Sequence, residues 1–261
     1  MVGRFSAVLA GPDLVTRAGG RLGKADMHLH TLYSDGTASV QELLDHVEQR
    51  TDLDLIAVTD HERIDGAVRA RELHAAGEYS FELVLGEEVT TRRGHVLALF
   101  ISERIPALRP LPETLERIHD QGGIAIAAHP MAPLTPSLGT HSLLAAQSAT
   151  DAHHRLDAIE LMNPSAAGRG RRGERERLNR EVLHLGAVGN SDAHVLDGVG
   201  TAWTWFPGAS AADYRAAIEE RTTRPDGRYW SNFHNLDVYR QQLIAKARHL
   251  RHTLRPTGEW R

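Results

Sequence analysis

Short apolar runs alternate with amphipathic segments along most of the 261-residue chain. The earliest alternation predicts a strand over Ala25–His30, and Ser39 is suited to cap a helix that continues to about Arg50. The apolar run LDLIAVT at residues 53–59 is typical of a strand that helices cover on both faces. Further predicted strands are 81–89, 95–101, 124–128, 158–162, 187–191 and 201–206, and further predicted helices are 65–76, 111–121, 169–185 and 210–221.

This alternation predicts an α/β protein in which a parallel sheet closes as a (βα) barrel. We expect the barrel to span residues 24–224 and residues 1–23 to form an N-terminal leader. Residues 133–154, with their prolines, predict an irregular insertion with a short helix. The tail at 225–261 is predicted to be a C-terminal helical extension that packs on the barrel, and a nucleic-acid contact is the less favoured interpretation of it.

Composition limits the kinds of function. Hydrophobic residues make up 41% of the chain, enough for one sizeable core. The net charge of −4 gives no bulk electrostatic reason to bind nucleic acid or an anionic membrane, and no segment resembles a membrane span. The chain has no cysteine, which fits a cytoplasmic protein and excludes thiolate metal sites. Any metal must therefore be held by His, Asp and Glu.

Ionisable residues recur at the ends of the predicted strands. His28 and His30 end the first strand on one face, because side chains of a strand alternate, and Asp35 follows in a turn. Later strands end at or are followed by His61, Glu87 and Glu88, His129, Asp192 and His194, and His95 opens the strand 95–101. A barrel places its active site at the carboxyl ends of its strands. Scattered surface histidines have no reason to fall there repeatedly, so the set predicts a metal site.

The motifs HLHTLYSDG, TDH, GEEVT followed by GHV, AHP and NSDAH occur in the order in which the PHP family has them. From about Asp26 to His194 the chain thus resembles the PHP domain, the polymerase-and-histidinol-phosphatase superfamily. The resemblance implies a distorted, TIM-like (βα)7 barrel with a two- or three-metal site. That site usually serves phosphoester hydrolysis.

The resemblance also implies a ligand set. His28, His30 and Asp192 would bind one metal, and Glu87 would bridge it to a second metal. His95 and His129 would complete the second site, and Asp35, His61 and His194 would hold a third metal. Glu88 is the alternative to Glu87, since alternation directs only one of them into the barrel mouth. Imidazoles combined with carboxylates suit Mn, Fe or Zn better than Mg or Ca.

Other polar residues near the strand ends are candidates for substrate contacts. Arg63 follows the TDH motif, and Asn163 ends the strand AIELM. Arg169 and Arg171 open the next helix, where guanidinium groups would clamp a phosphate. A solvated charged helix is the alternative, and it is favoured for Arg175. Three further residues are candidates for orienting the ligands: Asp26, Asp60 and Asn190.

These features predict a metal-dependent phosphoesterase in which a metal-bound hydroxide attacks phosphorus, with Glu87, Asp192 and His194 as the catalytic positions. His194 or Asp192 is a candidate to protonate the leaving group. The expected substrate is a nucleotide, a short oligonucleotide end or a small phosphorylated metabolite, with inorganic phosphate as product. Histidinol-phosphatase-like activity, hydrolysis of a carbon ester or amide, and a non-catalytic metal-binding module are the alternatives. The oligomeric state stays open.

Overall fold

The computed structural model describes residues 20–133 and 135–231, together with residues 238, 240 and 241. Within these residues the strands are β1 (Leu22–Leu29), β2 (Leu55–Val58), β3 (Glu82–Thr91), β4 (Gly94–Leu99), β5 (Ile124–Ala127), β6 (Ala158–Met162), β7 (Gly186–Gly189), β8 (Ala202–Pro207) and β9 (Arg224–Gly227). The helices are α1 (Val40–Arg50), α2 (Asp65–Ala76), α3 (Leu111–Asp120), α4 (Thr140–Gln147), α5 (Ala166–Arg169), α6 (Arg172–Leu178) and α7 (Ala211–Glu219). None of the described helices is long and apolar enough to cross a membrane.

The described strands form one nine-stranded sheet in the order β7-β6-β5-β4-β3-β2-β1-β8-β9, which curves into a nearly closed barrel. Strands β1, β2 and β3 pair in parallel, and so do β5, β6 and β7. Strand β4 runs antiparallel to both of its neighbours, and β8 runs antiparallel to β1 and β9. The predicted α/β barrel is confirmed, with a mixed sheet. Because β4 is reversed, its first residues lie at the end of the barrel where the parallel strands finish.

Helix α1 shows how the local sequence sets an element. Ser39 and Glu42 form a capping box, in which each side chain accepts from the other's backbone N–H. The buried residues of this helix recur at positions i, i+3, i+4 and i+7, and these are Val40, Leu43, Leu44 and Val47. The apolar face therefore covers β1 and β2, as the periodicity predicts.

One predicted helix, 169–185, is broken. Helix α5 ends at Arg169, and Arg171 takes a left-handed conformation with φ +54° before α6 begins. The prediction of a solvated Arg175 is wrong, because its side chain is buried and its guanidinium donates to the carbonyls of Gly168 and Gly170. The break thus carries a buried arginine that holds the turn between the two helices.

The predicted ends of the barrel also need adjustment. Residues 224–227 form strand β9, where the sequence predicted the start of a helical extension at 225. Among the described residues of the tail, Val238 is buried in a cluster with Val195 and Trp230. The rest of the tail from 232 onward and residues 1–19 of the predicted leader lie outside the described residues.

Candidate metal centre

The ionisable residues of the motifs meet at one end of the barrel. His28 lies in β1 and His30 directly follows it, while His61 follows β2 and His95 is the second residue of β4. Two further members, His129 after β5 and Asp192 after β7, have positive φ values of 30° and 53°. Such backbone conformations are uncommon outside glycine and collect at functional sites. The chain therefore accepts strain at two of the strand ends from which candidate ligands project.

Glu88 is the centre of the cluster. One carboxylate oxygen, Oε1, lies 2.8 Å from His95 Nδ1 and 3.0 Å from His129 Nε2. The other, Oε2, lies 3.1 Å from His28 Nε2, 3.3 Å from His30 Nε2 and 3.2 Å from His61 Nδ1. A single buried carboxylate thus touches five imidazoles, the position that a bridging ligand needs.

This geometry corrects the prediction of Glu87 as the bridging and catalytic carboxylate. Glu87 points to the opposite face of β3, where Oε2 accepts a hydrogen bond of 3.0 Å from Ile105 N and Oε1 lies 3.9 Å from Arg104 Nε. Burial raises the pKa of Glu87 to about 7. The side chain lies beneath the loop that follows β4, outside the cluster.

His28, His30 and Asp192 join Glu88 in the most deeply buried group. Asp192 Oδ1 lies 3.4 Å from His28 Nε2 and 3.3 Å from His30 Nε2. Two ligands about 2.1 Å from one ion stand about 3.0 Å apart at a right angle and about 3.4 Å apart at a tetrahedral angle. His28 Nε2, His30 Nε2 and Glu88 Oε2 are buried and lie close together, yet none of the three forms a hydrogen bond within the described part of the chain. Buried polar atoms normally have partners, so this donor set fits a metal ion.

Two further groups overlap the first. Asp35 Oδ1 lies 3.0 Å from His194 Nε2 and 3.7 Å from His61 Nε2, and His30 completes this group. The other group consists of His61, Glu88 and His95. In each of the three groups the described ligand atoms lie within 4.8 Å of one another. Every predicted ligand except Glu87 is therefore part of the cluster or, in the case of His129, in contact with its central carboxylate.

The carboxylates and imidazoles of the cluster shift one another's pKa values. Burial opposes protonation of His30, but the neighbouring Asp192 and Glu88 outweigh it and raise the pKa of His30 to about 10. Burial likewise disfavours the charged form of Asp192, yet the surrounding histidines hold the pKa of this carboxyl well below its usual range. By contrast, burial lowers the pKa of His61 to about 3. The carboxylates thus stay ionised and attract positive charge, which divalent cations would supply.

Glu160 orients this cluster, and the sequence analysis missed it. Its Oε1 accepts hydrogen bonds from His28 Nδ1 at 2.9 Å and from Asn190 Nδ2 at 2.7 Å, and its Oε2 accepts a hydrogen bond from His129 N at 2.7 Å. The contact fixes the proton of His28 on Nδ1 and leaves Nε2 to face Glu88. A lone glutamate within the apolar strand AIELM was the available signal, since a buried carboxylate requires partners. Asn190, which the sequence predicted as an orienting residue, also accepts from Met27 N at 2.9 Å.

The other two predicted orienting residues stabilise loops. Asp60 accepts three hydrogen bonds, from Thr31 N and Thr31 Oγ1 at 2.7 Å each and from Ser34 Oγ at 2.6 Å. It therefore holds the loop that carries Asp35. Asp26 accepts from Ser191 N and Gly200 N, both at 2.9 Å, and burial raises its pKa to about 6.

The predicted substrate contacts are placed unevenly. Asn163 Nδ2 donates to Asp192 Oδ2 at 3.2 Å, so this residue reaches the cluster. Arg63 is exposed, pairs with Asp65 at 3.0 Å and lies 5.6 Å from the ring centre of Tyr33. Two other guanidinium groups make separate contacts: Arg169 lies 4.6 Å from the ring centre of Tyr229, and Arg171 lies 4.0 Å from Glu174.

Comparison with known proteins places the chain among relatives. The PHP-associated family model matches residues 174–223. An uncharacterised protein of Methanocaldococcus jannaschii is 36% identical over 127 residues, which are 44% of this chain and 72% of that protein. The phosphoribosyl 1,2-cyclic phosphate 1,2-diphosphodiesterase of Eggerthella lenta is 36% identical over 102 residues, which are 36% of this chain and 37% of that enzyme.

A solved structure shows the same fold. It is a two-domain protein from Bacteroides vulgatus that contains a predicted PHP-like metal-dependent phosphoesterase. The TM-score is 0.65 at 20% identity, over 87% of this chain and 71% of that one. An α/β barrel with clustered His, Asp and Glu at its strand ends defines a class of metal-binding barrels. Within that class, the chain belongs to the PHP domain family.

Proposed function

We propose that this protein is a metal-dependent phosphoesterase. Its substrate would be the phosphate ester of a nucleotide, a short oligonucleotide end or a small phosphorylated metabolite. The observation that carries this proposal is the contact of Glu88 with five imidazoles beside the unpartnered nitrogens of His28 and His30. A buried set of nitrogen and carboxylate donors is suited to Mn, Fe or Zn and is costly to leave without a cation.

The three groups divide the ligand roles. His28, His30, Glu88 and Asp192 would hold one ion, and Glu88 would share a second with His61, His95 and His129. Asp35 and His194, with His30 and His61, would hold a third. Divalent ions held there would activate water for attack at phosphorus and neutralise charge on the phosphoryl oxygens.

The protein's own groups constrain the proton transfers. Asp192 stays ionised because its pKa is held below the usual range by the surrounding histidines, so it is suited to bind rather than to donate a proton. His194 Nδ1 donates to the carbonyl of Asp192 at 2.9 Å. Only Nε2 of His194 is left, and the same nitrogen cannot both bind a metal and protonate a leaving group. Occupation of the third group would therefore exclude His194 as the acid.

Asn163 is proposed to orient substrate, since its Nδ2 donates to Asp192 Oδ2 in the cluster. Arg63, Arg169 and Arg171 are exposed and are proposed as phosphate contacts. The Eggerthella lenta relative is named for cleavage of a cyclic phosphate, which supports a phosphate ester as the substrate class.

A turnover screen with metal-loaded protein tests the proposal. Protein reconstituted with Mn²⁺, Fe²⁺ or Zn²⁺ is incubated with nucleoside phosphates, short oligonucleotides, sugar phosphates and histidinol phosphate, and with lactones and amides. Wild type is compared with Asp192→Asn, and phosphate release and product masses are measured. We expect metal-dependent turnover of at least one phosphate ester that Asp192→Asn abolishes.

Turnover confined to lactones or amides would assign the protein to carbon ester or amide hydrolysis. Tight metal binding without turnover of any substrate would support the non-catalytic module. Activity of Asp192→Asn equal to that of the wild type would rule out the proposed site.

A further inference from the structure

A second concave site lies outside the metal cluster. It is a cavity of about 410 Å³ between the first turn of α3 and the length of α4. Small-molecule pockets typically have volumes of about 300–1,000 Å³ and are mostly apolar with a few polar groups. None of the metal-cluster residues lines this cavity.

The wall of the cavity is apolar. Helix α4 contributes Ala145 and Ala146, whose short side chains leave the space open, and Ala149 continues this surface just beyond the helix. Leu111 and Pro112 at the start of α3 form the facing side. This wall offers contact to the apolar part of a ligand.

The rim of the cavity is cationic. Arg92 and Arg93 form the turn between β3 and β4, and His141 and His154 line the cavity from α4 and the segment after it. No described carboxylate lines the cavity. Arg92 donates through Nε to the carbonyl of Leu108, but neither arginine forms an ion pair within the described part of the chain. Arg92 and Arg93 therefore bring positive charge to the lining with no ion pair among the described residues, whereas His154 Nε2 lies 4.0 Å from Glu116 Oε2.

We propose that this groove binds a small organic anion with an apolar body. The apolar part would pack on the alanines of α4 and on Leu111, and the anionic group would lie beside Arg92 and Arg93. Charge complementarity favours an anion, because its charged group would gain charge-assisted hydrogen bonds from two arginines that form no ion pair among the described residues. The site is separate from the proposed phosphoesterase function and does not depend on it.

The groove is close in sequence to the metal cluster. Arg93 is the last residue of the turn between β3 and β4. The first pair of residues after this turn is Thr91 with Gly94, and the next pair is Thr90 with His95. A bound anion would thus contact the turn of the hairpin that carries His95 and Glu88. Beside this turn the Gly94 backbone packs closely on the Ser137 backbone, from which a Cβ atom on Gly94 would lie 2.2 Å.

Calorimetric titration with 1-naphthalenesulfonate tests the proposal. We expect saturable binding with one site per chain. Methanesulfonate, which lacks the apolar body, and 1-naphthalenemethanol, which lacks the charge, should each bind at least about tenfold more weakly. Arg93→Gln should weaken binding of 1-naphthalenesulfonate about fivefold. Ala145→Trp should abolish it by filling the groove.

Arg69→Gln is the matched control, because Arg69 is an exposed arginine on α2 that pairs with Glu72. Its affinity for 1-naphthalenesulfonate should equal that of the wild type. Arg93→Gln changes only an exposed side chain, so it keeps the test valid if Ala145→Trp does not fold.

Four results would overturn the proposal. Saturable binding could be absent, or it could persist unchanged in both groove variants. Binding could be displaced by inorganic phosphate and lost in Asp192→Asn, which would place the anion in the metal centre. Finally, Ala145→Trp could change the mass of the protein in sedimentation, which would identify the groove as an interface between copies of the chain.

Discussion

Glu87 and Glu88 offer a matched pair of substitutions on one strand. Both carboxyl groups are buried, and Glu→Gln replaces each of them by a neutral amide of almost the same volume. Glu88 touches five imidazoles, whereas Glu87 accepts from Ile105 N on the other face of β3. If the cluster binds metal, only the Glu88→Gln protein should lose it.

The expected size of the effect follows from the contacts. Removal of a group that merely orients a metal ligand costs about 10–100-fold in affinity. Glu88 would itself be a ligand, and an amide in its place would direct N–H donors at imidazole nitrogens. We therefore expect Glu88→Gln to weaken Mn²⁺ binding more than about 100-fold, or about 2.7 kcal/mol. Burial raises the pKa of Glu87 to about 7, so at that pH Glu87→Gln replaces a group that is already about half protonated.

Isothermal titration of metal-free protein with Mn²⁺ gives the two affinities, and metal analysis after dialysis gives the stoichiometry. Thermal unfolding of both variants without metal provides the control for folding. The assignment of Glu88 would be refuted by a Glu88→Gln affinity within about threefold of the wild type. An equal loss in Glu87→Gln would show that the carboxylates act through the strand rather than through the cluster.

Three further substitutions test how the scaffold supports the site. Glu160→Gln should weaken Mn²⁺ affinity about 10–100-fold, because His28 loses its charged orienting partner; unchanged affinity in the same titration would contradict this role. Asp60→Asn should lower the free energy of unfolding in urea by about 2 kcal/mol, because the new amide would face three hydrogen-bond donors of the β1–α1 loop. A loss below about 0.5 kcal/mol would show that the loop has other support. His119→Gln should cost about 1 kcal/mol in urea unfolding at pH 5.5 and less at pH 9. Burial opposes protonation of His119, but hydrogen bonds to Asp157 and to the His153 carbonyl raise its pKa. The stabilisation that His119 gives to the folded state is therefore complete below the pKa of histidine in the unfolded chain, and it is lost as pH rises through the pKa in the folded state. An equal cost at both pH values would exclude the charged pair.

Much of the site could be predicted because its residues occupy strand ends. A strand followed by a polar turn is a local signal, and every parallel strand of a barrel delivers its last residues to the same end. The sequence therefore predicts that His28, His61, His129 and Asp192 lie close together, even when the order of the strands in the sheet is unknown. The helices were predictable for the same kind of reason, as the cap and apolar stripe of α1 show.

The choice between Glu87 and Glu88 as the central carboxylate depended on which face of the β3–β4 hairpin each side chain projects from. Strands β3 and β4 are joined by a two-residue turn, so Thr91 pairs with Gly94 and Thr90 with His95. Paired residues of antiparallel strands project from the same face, and so do residues two apart. Glu88 thus shares its face with His95. Recognition of this hairpin in the sequence would have selected Glu88, whereas alternation alone cannot tell which of two neighbours faces inward.

Two other features required tertiary context. Glu160 was hidden because its strand is buried on both faces, so no polar pattern distinguishes the interior from the exterior. Arg175 lies in a charged segment that would be stable as a solvated helix, and only the turn at Gly170 and Arg171 brings carbonyl groups to its guanidinium. In both cases the partners are set by the packing of distant elements or by a break in local structure.

The three ligand groups differ in how firmly the fold supports them. His28 lies within β1, and Glu88 lies within β3 and is paired with β4. The group that His28 and Glu88 form with His30 and Asp192 contains two carboxylates, and Glu160 in β6 orients the imidazole of His28. The group around Asp35 contains one carboxylate, which projects from a loop that Asp60 holds. Because both charge and rigidity favour the first group, it should be the tightest metal site, and the Asp35 group should respond most to changes in the β1–α1 loop.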